Sequence, residues 1–376
     1  MYIYQKQLEN TIKYFSPNKV LVIYGPRRTG KTTLLKHLVR RINKKYIFVS
    51  GEDIGIQEQL SSQSIEKLKA FIADNEFLII DEAQKINNIG LNLKLIVDHI
   101  PNIKIIATGS SSFDLAKHIG EPLTGRKHTL KIFPLSQMEL NTIETKHVTD
   151  SKLEERLIFG SYPEVIISKN NEQKISYLKE IVNSYLYKDI LELDGIRNSD
   201  KILRLLQLLV FQIGKKISFN ELGTHLGMSK NTIDRYLDLL EKTFVIFKLR
   251  GFSRNLRKEI TKNHKYYFYD IGIRNALINN FNPLSMRDDI GMLWENYIIA
   301  ERIKKQEYVN IYSNNYFWQT YDQKEIDFIE EREGKLFAFE IKWKESKVKI
   351  PIDWQNNYKN SEFSVITNEN YLDFIS

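Results

Sequence analysis

The stretch "KVLVIYGPRRTGKTTLLKHLVRRI" constrains the fold more than any other part of this 376-residue chain. Residues 20–24 form an apolar, β-branched run of the kind buried in a parallel sheet. A loop of the form G-x-x-x-x-G-K-T follows over residues 25–32, and Leu34, Leu35, Leu38 and Val39 then recur at helical spacing. Strand, glycine loop and helix in that order are the setting a phosphate-binding loop requires. Gly25 and Gly30 let the backbone curl until successive N–H groups converge on one point, with Pro26, Arg27, Arg28 and Thr29 between them. The helix N-terminus adds partial positive charge. Lys31 is expected to reach the β- and γ-phosphates of a nucleotide, Thr32 to hold magnesium, and Thr33 to extend the cradle.

A second apolar run, "EFLIIDEAQKI", places Asp81 and Glu82 at the end of a strand over residues 77–80. Strand carboxyl ends are where open α/β sheets bind ligands, so Asp81 is expected in the magnesium shell and Glu82 beside the attacking water. A third run, "IKIIATGSSSF", ends in Thr108, Ser110 and Ser111, either γ-phosphate sensors or plain turn residues. Arg126 precedes an alternating strand at 128–133 and is either an arginine finger, in cis or in trans, or a solvated charge.

The rest of the chain is long enough for further cores. Cysteine is absent, which excludes disulfides and thiolate metal sites. Nothing approaches the ~18–20 apolar residues of a membrane span, and the opening lacks a secretory pattern. These features point to a soluble cytoplasmic protein with no membrane partner. The expected division is a P-loop domain over 1–145, a helical connector over 146–200, a winged helix over 201–280 and a last α/β domain over 281–376.

In the connector, "KISYLKEIVNSYLYKDILEL" spaces Ile175, Leu178, Ile181, Tyr185, Leu186 and Ile190 for a packed helix. A helix over 220–226, a turn at Gly227, and a second helix capped by Ser229 then make a helix-turn-helix. Ser229, Lys230, Asn231, Thr232 and Arg235 would open its recognition helix. The formal net charge is only +8, but Lys248, Arg250, Arg254, Arg257, Lys258, Lys262 and Lys265 are concentrated against a lone Glu259. A basic wing of that kind suits a nucleic-acid backbone, DNA being the expected partner; a plain packing module is the alternative.

Near the end, "EIDFIEEREGKLFAFEIKW" reads as a hairpin turning at Glu333-Gly334. That turn pairs positions whose numbers sum to 667, so Asp327 faces Glu340, and Lys342 shares their side of the sheet. Facing carboxylates need a positive charge between them, from Lys342 or from a divalent metal. Glu295 lies on the apolar helix "IGMLWENYIIAERI" and needs a partner too. A solvated hairpin face is the alternative.

The motifs "GPRRTGKTT", "LIIDEAQ", "ATGSSSF", "LTGRKHTLKIFPLS" and "GSYPEVI", in this order, resemble a prokaryotic family of AAA-type ATPases close to the archaeal ATPase group. That resemblance implies ATP and Mg2+ as cofactors, and a winged helix followed by a restriction-endonuclease-like domain. It implies that Asp327, Glu340 and Glu295 bind metal while Lys342 orients or activates water. Two functions remain open: an ATPase that binds and cleaves DNA, or an ATP-operated switch whose second half binds partners without cutting. A homo-oligomer also remains open.

Overall fold

The computed structural model describes residues 3–110, 122–186, 199–253, 264–320, 322–344 and 348–376. Ser111, the basic residues Arg254, Arg257, Lys258 and Lys262, and Ile190 of the expected connector helix lie outside these residues.

The first half is built on a five-stranded sheet. Its strands are β1 (Lys19–Tyr24), β2 (Tyr46–Ser50), β3 (Phe77–Asp81), β4 (Lys104–Gly109) and β5 (Lys127–Lys131), in the order β2-β3-β4-β1-β5. All four pairings are parallel. Parallel sheets are covered on both faces, and the alternation of side chains supplies two separate cores. Val20, Val22, Leu78, Ile80, Ile105 and Ala107 fill one, while Leu21, Ile23, Ile79, Ile106 and Leu130 fill the other. Every strand therefore delivers its carboxyl end to the same edge. The phosphate loop follows β1 there, Asp81 closes β3, and Thr108 lies near the end of β4.

The second half holds the strands β6 (Lys216–Ile217), β7 (Ile246–Gly251), β8 (His264–Phe268), β9 (Asn314–Gln319), β10 (Glu325–Arg332), β11 (Lys335–Ile341) and β12 (Ser361–Ile366). They form one sheet in the order β12-β11-β10-β9-β7-β8-β6. The join is a short parallel pairing of β7 with β9, Arg250 against Tyr316 and Gly251 against Phe317. Residues 153–375 share one apolar core, so packing is continuous across the boundary expected near residue 280. Helices Phe219–Leu226 and Lys230–Lys242 flank Gly227 at φ 60°, with Ser218 and Ser229 as their N-terminal caps. The connector helix covers Asn171–Glu180 and continues as a wider turn over Ile181–Leu186.

The two halves meet at an aromatic cluster of Phe133, Phe244 and Tyr308, with Tyr24 and Tyr269 packed on it. Tyr24 is the last residue of β1, directly before the phosphate loop. No helix among the described residues is long and apolar enough to cross a membrane.

Candidate nucleotide site and carboxylate cluster

Gly25 is required by close approach, since a Cβ there would stand 1.9 Å from the Ile132 carbonyl oxygen. Gly30 has φ 93° and packs against the Gln5 amide. Inside the loop, Thr29 is fully buried and its hydroxyl donates to the Pro26 carbonyl at 2.8 Å. Lys31 folds back, its ammonium donating to the carbonyls of Gly25 at 2.8 Å and Pro26 at 2.7 Å. Arg27, Arg28 and Thr33 line the cleft above the loop.

Asp81 is held from both sides. The Thr32 hydroxyl donates to its Oδ2 at 2.6 Å and the Thr108 hydroxyl to its Oδ1 at 2.5 Å. Thr32 Oγ1 and Asp81 Oδ2 are hard oxygen donors at the mouth of an amide-lined cradle, and this donor set fits Mg2+ beside a triphosphate. Glu82 adopts φ 52°, a conformation costly for a side-chain-bearing residue. Its N–H donates to Thr108 Oγ1 at 3.1 Å. Gln84 Nε2 then donates to both Glu82 Oε2, at 2.6 Å, and Ser110 Oγ, at 3.2 Å. The end of β4 is thus wired to the carboxylate after β3. Sequence reasoning singled out Ser110 and missed Gln84, although Gln84 stands two residues after Glu82.

A cleft of about 750 Å³ opens over these groups. Ile3, Gln5, Leu135, Pro163, Glu164, Ile167 and Tyr177 supply its remaining walls together with Ser50 and Glu52. The connector therefore forms one wall of the nucleotide site, a role the helical pattern of that segment did not carry.

Arg126 requires a correction. Its carbonyl accepts from Val20 N–H at the start of β1, the edge opposite the phosphate loop. Its guanidinium pairs with Asp98 at 2.7 Å. An arginine finger acting on this chain's own nucleotide is excluded by that placement.

In the second half, the hairpin register is the expected one. Phe328 pairs with Phe339 and Arg332 with Lys335, around Glu333 at φ 53° and Gly334 at φ 74°. The ladder ends at Phe328, and beyond it Asp327 and Glu340 are brought together around Lys342. Lys342 Nζ lies 2.6 Å from Glu340 and 3.7 Å from Asp327. Asp327 Oδ2 also accepts from Ile341 N–H at 2.8 Å. Glu295 approaches from the long helix Ile290–Val309, and Tyr267 donates its hydroxyl to Glu295 at 2.7 Å. Lys265 stands 4.0 Å from Glu295 and is paired with Glu325. Gly214 leaves room for the Glu295 carboxylate, which a Cβ would meet at 2.9 Å. Lys265, Tyr267 and Gly214 lie before the expected last domain and were not read as neighbours of this cluster.

Burial, and then the charge of Asp327, push the Glu295 carboxyl up to about 7. Burial and Asp327 also raise Glu340. Burial opposes the Lys342 ammonium, but Asp327 and Glu340 outweigh it and hold its pKa above the usual value. The expected metal set of Glu295, Asp327 and Glu340 is brought into one neighbourhood, with Lys342 and Lys265 as its cations. No three such donors among the described residues converge closely enough for a metal ion. Lys342 neutralises the facing pair, and Glu295 is turned toward Tyr267 and Lys265.

Residues 17–141 match the model of an AAA domain. Residues 150–284 and 290–367 match two domains of unknown function, DUF8612 and DUF4143. An uncharacterized protein of Methanocaldococcus jannaschii is 28% identical, covering 83% of this chain and 72% of its own. One from Haemophilus influenzae is 25% identical, covering 94% and 91%. Among solved structures, the Walker-type ATPase PABY2304 of Pyrococcus abyssi is similar at a TM-score of 0.48 and 15% identity, over 73% of this chain and 94% of that one. Sheet, loop and family match agree: the N-terminal domain is an AAA-type P-loop domain.

Proposed function

We propose that this chain binds ATP with Mg2+ and hydrolyses it, and that the nucleotide state governs DNA binding and metal-dependent DNA cleavage by the second half. The carrying observation is Asp81, held by Thr32 and Thr108 one residue before Glu82. Lys31 leaves the Gly25 and Pro26 carbonyls for the β- and γ-phosphates. Thr32 and Asp81 hold Mg2+, which neutralises phosphate charge. Glu82, steadied by Gln84, polarises the water. Arg126 reaches a nucleotide only in a second copy of the chain.

The test is phosphate release from ATP with Mg2+. Lys31→Ala is expected to lose at least about a hundredfold, the cost of removing a principal transition-state charge. Turnover equal to the parent would remove the cradle from its role.

DNA binding is supported by the exposed Ser229, Lys230, Asn231 and Arg235 at the start of the second helix. Cleavage is supported by Asp327, Glu340 and Lys342 sharing one face with Glu295 nearby. The second reading is a switch that binds partners without cutting, favoured by Lys342 already neutralising the acids. Plasmid and single-stranded DNA incubated in Mg2+ or Mn2+ separate the two readings. Nicking that disappears in Asp327→Ala and Lys342→Ala supports cleavage; intact DNA with ATPase activity preserved supports the switch.

A further inference from the structure

The N-terminal residues before the AAA-domain match hold an unused hydrogen-bond acceptor. Gln5 lines the nucleotide cleft and is 4% exposed. Its Nε2 donates to the Thr29 carbonyl at 2.8 Å. A carbonyl only accepts, so that contact orients the amide and leaves Oε1 pointing elsewhere. Gln5 Oε1 is buried with no hydrogen-bond partner. Buried acceptors are normally paired, and one on a residue that lines a ligand cleft is paired most simply by the ligand once it is seated.

The ligand's own chemistry narrows the donor. Triphosphate oxygens accept and would be repelled by Oε1. The donors of a nucleoside triphosphate are its ribose hydroxyls, any exocyclic amine on its base and, in 6-oxo purines, the N1–H. Apolar surface beside Gln5 favours the base. Ile3 lines the cleft and packs with Leu135 in a small buried cluster against Ile166. Pro163, Ile167 and Tyr177 bring apolar surface from the connector, and Ile167 is 45% exposed. A flat base enclosed by such walls would present its edge to Gln5, with Glu164 and Tyr177 on the connector side of the same lining. The Gln5 amide also packs 3.0 Å from where a Gly30 Cβ would stand, which places this edge next to the phosphate cradle.

We propose that Gln5 is the residue that reads the base, its Oε1 accepting from the 6-amino group of adenine. Guanine and hypoxanthine carry a carbonyl at that position, which would set lone pairs against lone pairs. Because Nε2 is committed to Thr29, the amide cannot flip to suit them without losing its hold on the loop. This inference rests on the nucleotide reading above and supplies its specificity for ATP.

The test uses the full chain and three ligands titrated with Mg2+ by calorimetry: ATP, inosine triphosphate and inorganic pyrophosphate. Inosine triphosphate differs from ATP only at the 6-position and at N1, where a carbonyl and an N–H replace the amine and a bare nitrogen. The parent should bind ATP at least roughly tenfold more tightly, the discrimination expected when one buried polar contact is made or left unpaired. Gln5→Ala should bring that ratio close to one, and whatever pyrophosphate loses measures the cost of freeing the Thr29 carbonyl, which all three ligands share. Equal affinities in the parent, or a ratio that survives Gln5→Ala, would overturn the assignment. An equal loss for all three ligands would make Gln5 only a prop for Thr29, which also overturns it. Failure of pyrophosphate to bind the parent would instead strike the nucleotide site itself.

Discussion

In the proposed hydrolysis Glu82 carries the largest chemical demand of any single residue, and its backbone is held at φ 52°. Gly51 shows how tightly it is fitted, since a Cβ there would stand 2.3 Å from the Glu82 carbonyl oxygen. Glu82→Gln keeps shape and hydrogen bonding but removes the charge. It should bind ATP like the parent and hydrolyse it at least about a hundredfold more slowly, as read by ligand titration beside single-turnover assays. Equal turnover would assign the water to another group. Glu139 makes a second residue-scale prediction. It is buried, accepts from Ser136 N–H at 2.9 Å and from Lys6 N–H at 2.8 Å, and burial pushes its carboxyl up to about 7 despite these bonds and Lys304. The folded pKa exceeds the unfolded one, so the linked stability is fully present below pH ~4.5 and is lost as pH rises through about 7. The swing is at most about 3 kcal/mol. Glu139→Gln should flatten the fall in Tm between pH 5 and 8; a fall as steep as the parent's would dismiss Glu139 as its source.

At the scale of elements, what could be read in advance depended on how local the signal was. The phosphate loop and β3 declare themselves because each residue's role follows from its few neighbours. The hairpin register was legible for the same reason: Glu333-Gly334 fixes every later pairing. Arg126 misled because closeness to a strand does not say which end; in a parallel sheet the start of a strand lies away from the phosphate edge. The cleft wall was illegible because it comes from far along the chain. Its turn is anchored at Gly160, whose neighbour Ser161 donates its N–H to Asp270 at 2.8 Å, the cap of helix Ile271–Leu277. Gly272 lies on that helix with no room to spare, its absent Cβ 2.0 Å from the Phe159 carbonyl oxygen. Gly272→Ala should therefore destabilise by on the order of 1–3 kcal/mol and weaken nucleotide binding, because backbone must shift to admit the methyl. A denaturant midpoint equal to the parent's would show that this contact yields freely.

Across the whole molecule, the long helix Ile290–Val309 runs from the carboxylate cluster to the half that carries the nucleotide site. Its 20 residues span about 30 Å. Glu295, in its second turn, belongs to the carboxylate cluster. Its last turns belong to the ATPase half: Glu301 accepts from Gln137 N–H at 2.5 Å, Glu307 pairs with Lys131 at 3.0 Å, and the hydroxyl of the buried Tyr308 accepts from Phe133 N–H at 3.1 Å. The Tyr308 carbonyl accepts from Asn10, just after the segment that carries Gln5, at 3.0 Å. Tyr24, which ends β1, lies 5.5 Å ring to ring from Phe244 in the same aromatic cluster. We propose that closing the loop on phosphates loads these contacts through Tyr24, and that the packed helix then moves as a body. Coupling of this kind typically amounts to about 1–3 kcal/mol. Hydrogen exchange is the measurement that sees it. A non-hydrolysable ATP analogue should slow exchange in the phosphate loop and also around residues 290–300 and the β10–β11 hairpin. The double variant Glu307→Gln, Tyr308→Phe should keep the first effect and lose most of the second. Protection that spreads to the hairpin equally in parent and variant would mean that the signal bypasses this helix, and the two halves would then be linked through the packing of Tyr24 and Phe133 on Phe244 instead.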